Sequence, residues 1–153
     1  AWRIVGMCLL TPNLMDVLPA EATAQFEPIM NGLADLEADM DEVYATGGLD
    51  ELLDLCDEEA IFVTDTDMDG SAEVITAGAL GDMIMGAGPI PLRQPEGAER
   101  VTLTGLGGAV LMTDATVATD MGTLLFRHVL IGVYKPEVDV WKIVLAVGAP
   151  LEE

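Results

Sequence analysis

A chain of 153 residues, 51% apolar and 5% aromatic, has the length of one domain and enough Leu, Val, Ile, Met and Ala to build a core without disulfide or metal staples. Its 27 acidic and 6 basic residues leave a formal charge of −21, and a surface of that sign repels phosphate backbones and anionic bilayers, which excludes nucleic-acid and membrane-surface binding as expected functions. The charge is uneven: residues 1–82 hold 19 acidic side chains against Arg3 alone, a balance of −18, whereas residues 83–153 amount to only −3.

Residues 2–10 are apolar but shorter than a membrane span and without the basic start of a signal peptide. Residues 1–22 are therefore expected as an N-terminal arm or strand, and residues 23–150 as a single soluble domain. Cys8 and Cys56 offer neither a metal-ligand spacing nor a disulfide framework.

Across residues 25–44 the apolar positions Phe26, Ile29, Met30, Leu33, Leu36, Met40, Val43 and Tyr44 recur every three or four residues, with acidic side chains between them. That spacing predicts an amphipathic helix of about five turns. Gly47-Gly48 ends it, and residues 49–56 predict a shorter helix with Asp50, Glu51 and Asp54 on its polar face. A strand is expected over residues 60–64, an acidic turn over 65–70 and a third helix over 76–85. Pro89, Pro91 and Pro95 mark residues 86–97 as irregular. Residues 100–106, 109–113, 123–134 and 140–147 are rich in Val, Leu, Ile and Thr and read as strands. Helices first and antiparallel strands afterwards is an α+β pattern, with the helices on one face of a sheet.

In the strand over residues 123–134, Leu124, Phe126, His128, Leu130 and Tyr134 share one face, and Leu125, Arg127, Val129, Ile131 and Val133 share the other. Both faces are largely apolar, so each is expected to be covered. The helices cover one, and the other is expected to form a homo-oligomer, a dimer through the sheet.

The order of elements and two stretches resemble the nuclear transport factor 2-like superfamily, with its SnoaL-like and ketosteroid-isomerase-like branches. The first runs from Gly47-Gly48-Leu49-Asp50-Glu51 through Leu52, Cys56 and Ala60 to Phe62-Val63, a short helix leading into a strand. The second is Val138-Asp139-Val140-Trp141-Lys142-Ile143-Val144, a tryptophan-bearing final strand. The resemblance implies an α+β cone: N-terminal helices packed in the concavity of a curved antiparallel sheet, a barrel-like cone enclosing an apolar, hydrophobic pocket. It implies no activity, because the superfamily holds isomerases, dehydratases and hydrolases beside proteins that only bind or assemble.

His128 is the only histidine, so imidazole acid–base chemistry near neutral pH rests on it. The residues weighed for catalysis are His128, a carboxylate that orients it (Asp65, Asp114 or, first of these, Asp120), and Tyr44 as donor to an oxyanion. Phe126, Tyr134 and Trp141 are the expected ligand-contacting residues. Burial among them is expected to lower the imidazole pKa and leave a neutral base. Asp65-x-Asp67-x-Asp69-Gly70 matches the opening of a calcium loop. The twelfth position is Thr76, not glutamate, so the sequence supports at most a weak calcium site on Asp65, Asp67 and Asp69, with Glu73 standing in; no other cofactor is expected. Two functions stay open: binding of a small apolar molecule with acid–base work on it, and a non-enzymatic assembly module.

Overall fold

The computed structural model describes residues 18–65, 69–105, 107–119 and 122–151. Helix α1 (Ala20–Thr46) carries the buried stripe Leu33, Leu36, Met40, Val43 and Tyr44, one side of a 3.6-residue period. It begins earlier than the apolar period predicts and takes in the last residues assigned to the arm. Ala20, Ala22 and Ala24 are strong helix formers that leave no apolar pattern to read. Pro28 consequently lies in the helix interior, without an N–H for the carbonyl of Ala24. Helix α2 (Leu49–Asp54) follows, its start held by the Gly48 N–H donating to Glu51 Oε2 at 2.8 Å.

Strand β1 (Cys56–Thr64) begins four residues before the expected position, because Cys56 pairs with Ile143 across the sheet. Past the acidic turn, β2 (Glu73–Thr76) pairs antiparallel with β1. This edge strand was not expected. The Thr76 hydroxyl then accepts the Ala79 N–H and caps α3 (Ala77–Ala87), a standard N-cap.

The proline loop is not wholly irregular: β3 (Leu92–Arg93) pairs with Val117 and Thr116. Prolines remove ladder donors locally, but two residues between them still pair at a sheet edge when the partner comes from elsewhere in the chain. Strands β4 (Val101–Thr104), β5 (Gly108–Thr119), β6 (Gly122–Lys135) and β7 (Val140–Pro150) complete the sheet.

The strand order is β2-β1-β7-β6-β5-β3, with β4 also on β5. The sheet is mixed and not wholly antiparallel as expected, since β1 runs parallel to β7. A parallel pair needs a long crossover, and neither strand's own sequence announces it. The helices pack on the inner face, where Phe62, Leu111, Ala115, Leu130, Trp141, Ile143 and Ala146 join the α1 stripe in one core. On the other face Leu125, Val129, Ile131 and Val133 are half-buried, and none of them belongs to that core.

Gly32, in the middle of α1, shows how closely helix and sheet approach. A Cβ there would stand 3.0 Å from Cδ1 of Trp141. The indole is fixed by its Nε1–H, which donates to the Ile29 carbonyl at 2.7 Å.

Candidate functional site

A cavity of about 260 Å³ lies between the inner face of the sheet and helices α2 and α3. Its walls are apolar: Leu52 of α2, Phe62 of β1, Ile75 of β2, Leu80 of α3, and Leu124 and Phe126 of β6. The side chains of Thr64, Asp65 and His128 bring polar groups to it, and Gly148 completes the wall beside the imidazole.

The alternation of β6 puts His128 on the inner face between Phe126 and Leu130. Its neighbours across the ladders are Thr113 on β5 and Gly148 on β7. The Phe126 ring is 6.4 Å away, centroid to centroid, and tilted by 52°. From the last turn of α1, the buried Tyr44 brings its hydroxyl to 3.1 Å from Nδ1 of His128. Nε2 lies toward Gly148, where a Cβ would stand 3.9 Å from it, and it has no hydrogen-bond partner among the described residues.

Burial sets the protonation of this pair. Desolvation lowers the His128 pKa from its ordinary 6.5 to about 4, so the ring is neutral at physiological pH. Desolvation also raises the Tyr44 pKa well above the ordinary phenol value, against a smaller opposing effect of Arg100. The phenol therefore keeps its proton. Cys56, the only described cysteine, is buried and its thiol is pushed up to about 12 by burial, which leaves it protonated and unreactive.

Tyr44, His128 and Phe126 thus come together, whereas the described candidate carboxylates, Asp114 and Asp65, are engaged elsewhere. Asp114 faces outward and pairs with Arg127 at 2.9 Å, the two being cross-strand partners. Asp65 lines the cavity, yet its carboxylate accepts the backbone N–H groups of Asp69 at 3.1 Å and Gly70 at 2.9 Å. Asp120 lies outside the described residues. The group that orients the imidazole is a phenol on another element.

Tyr134 and Trp141 do not line the cavity. They meet each other at 6.1 Å where α1 crosses the sheet, and the Tyr134 hydroxyl donates to Asp139. Although Tyr134 shares a strand face with His128, the strand is long enough that the two serve different ends of the fold. Leu52, Ile75 and Leu80 were missed as lining residues because each reads locally as ordinary core.

Among the described residues no group of three or more His, Cys, Asp or Glu side chains is placed to hold a metal ion. Of the candidate calcium ligands, Asp65 and Asp69 bond within their own turn, Asp69 accepting the Ser71 N–H at 2.7 Å. Glu73 sits in β2 opposite Thr64, and Asp67 lies outside the described residues. No described helix is long and apolar enough to cross a membrane.

Several solved structures share this arrangement of helix and sheet. An NTF2-like protein from Rhodospirillum rubrum superposes with a TM-score of 0.59 at 22% identity, over 78% of this chain and 98% of the other. A putative ketosteroid isomerase from Parabacteroides distasonis gives 0.53 at 14% identity, over 78% and 86%. The S. rosetta CaMKII hub gives 0.56 at 12% identity, over 79% and 95%. The fold is NTF2-like. No family model matches the sequence, and no curated protein matches it. The NTF2-like cone has a helix in the concavity of a curved sheet, and α1 with the inner face of the mixed sheet reproduces it.

Proposed function

We propose that this NTF2-like domain binds a compact, apolar small molecule in the cavity that ends on His128. The observation that carries the reading is an apolar cavity of about 260 Å³ with a neutral imidazole edge that no group among the described residues occupies. Ligand sites combine this kind of apolar lining with a few convergent polar groups. The volume lies just under the usual range of roughly 300–1,000 Å³, which points to a ligand smaller than a typical drug. A histidine that is neutral at pH 7 suits acid–base work of the isomerase, dehydratase or hydrolase kind, and the Parabacteroides neighbour described as a putative ketosteroid isomerase supports that class. Methyl-labelled NMR during titration with small neutral apolar compounds tests the reading. Shifts confined to Leu52, Ile75, Leu80 and Leu124 are expected, whereas shifts only on the outer face of the sheet refute it.

A second role rests on a different surface. The outer face of β6 presents Leu125, Val129, Ile131 and Val133 outside the helix-covered core, and one neighbour of this fold is a hub domain. These observations support self-association through the sheet, a homodimer in the simplest case, which coexists with ligand binding because the cavity lies on the opposite face.

A further inference from the structure

We infer that His128 presents an N–H, not a lone pair, to the cavity, and that the ligand is a neutral apolar molecule carrying one hydrogen-bond acceptor of the carbonyl type. The inference rests on the cavity being a ligand site and names the chemistry of that ligand.

Tyr44 is 3% exposed and its phenol stays protonated, so its O–H must donate to a protein group or remain unsatisfied in the interior. Its hydroxyl has a single hydrogen-bond partner among the described residues, Nδ1 of His128. Donation to Nδ1 requires the lone pair there. A neutral imidazole carries one N–H, which must then sit on Nε2. The other tautomer would direct Nδ1–H at the phenol oxygen and strand the phenol proton. Thus α1, through Tyr44, selects the tautomer that β6 shows to the cavity.

Nε2 faces the wall made by Gly148 and Thr64. An Nε2–H there is a directed donor in surroundings otherwise nearly all apolar, and an oxygen acceptor on the ligand satisfies it. Charge narrows the class. Asp65 is on the same wall in a domain of net charge −21, which disfavours an anion. The apolar lining and a donor pointing inward disfavour a cation. In this state the ring has no lone pair facing the ligand, so it polarises an oxygen in place of acting as the base expected from the sequence.

Two measurements test this. In ¹⁵N-labelled, ligand-free protein at neutral pH, long-range ¹H–¹⁵N correlation of His128 is expected to show a pyrrole-type Nε2 and a pyridine-type Nδ1; the reverse assignment overturns the inference. The second compares acetophenone with α-methylstyrene, in which C=CH₂ replaces C=O in nearly the same shape. The affinity ratio favouring acetophenone is expected to fall on the order of fivefold in His128→Leu. It is expected to recover in part in His128→Gln, whose amide N–H reaches a similar position. If both probes bind and His128→Leu leaves their ratio unchanged, the donor assignment fails while the ligand site stands. If neither probe binds, the ligand site fails and the ligand class with it.

Discussion

Gly32 and Trp141 meet where α1 crosses the sheet, and a Cβ at Gly32 would stand 3.0 Å from the indole Cδ1, a contact that requires the ring to give by a few tenths of an ångström. Trp141 cannot easily yield, because it is buried, packs against Tyr134 and donates to the Ile29 carbonyl. Alanine would gain about 1 kcal/mol of helix propensity at this position. The contact opposes that gain, so Gly32→Val is expected to destabilise by about 1–3 kcal/mol. In a Trp141→Phe background the penalty should shrink by at least half. Urea unfolding of the double-mutant cycle measures this, and additive effects would show that the two residues are not coupled.

His128 makes stability depend on pH. Its folded-state pKa is about 4 against an ordinary 6.5, so as pH falls the unfolded chain takes up the proton before the folded one does. The contribution is intact above pH 6.5 and is lost between 6.5 and about 4, to an extent of about 3 kcal/mol. Denaturant melts at pH 7 and pH 4 should show that much more acid destabilisation in wild type than in His128→Gln. The carboxylates titrate alike in both and cancel, so equal acid sensitivity would place the ring in solvent.

Arg100 is the cation set against the acidic face of α1. It pairs with Glu37 at 3.2 Å and with Asp41, and also donates to the Glu37 carbonyl. Arg100→Met keeps much of the aliphatic stem and removes the charge. We expect a loss of about 1 kcal/mol at low ionic strength and a steeper rise of melting temperature with salt than in wild type, because screening then relieves unopposed repulsion. Parallel salt curves would show that the pair contributes nothing.

The outer face of β6 is expected to form the dimer contact. Ile131 pairs with Val110 and Leu145 across its two ladders, at the middle of the apolar patch. Ile131→Glu should give the monomer mass in light scattering at micromolar concentration, where wild type gives the dimer, and should leave ligand binding unchanged. A monomeric wild type at ordinary salt would remove the assembly reading.

The acidic turn can be separated from a calcium site. Asp65 holds the turn through the Asp69 and Gly70 N–H groups, so Asp65→Ala should cost about 1–2 kcal/mol with or without calcium. Calcium and magnesium at matched ionic strength should raise the melting temperature equally. An excess for calcium that disappears in Asp67→Ala would instead establish a metal site.

Periodicity made α1 legible, and β-branched runs made β6 and β7 legible, because these signals lie within a few residues of one another and report directly on which face is buried. The α+β class followed from their order. The alternation of β6 also put Phe126 and His128 on one face before any tertiary contact was known. What it could not express was distance along the strand, so Tyr134 was grouped with a cavity it does not reach. The parallel pairing of β1 with β7, the pairing of Leu92-Arg93 inside a proline loop, and the passage of Trp141 over Gly32 all depend on partners far away in sequence. No local pattern encodes them. The same holds for the imidazole: Tyr44 and His128 are 84 residues apart, and only the packing of α1 into the sheet sets a phenol, not a carboxylate, against Nδ1 and so decides which nitrogen of the ring carries the proton.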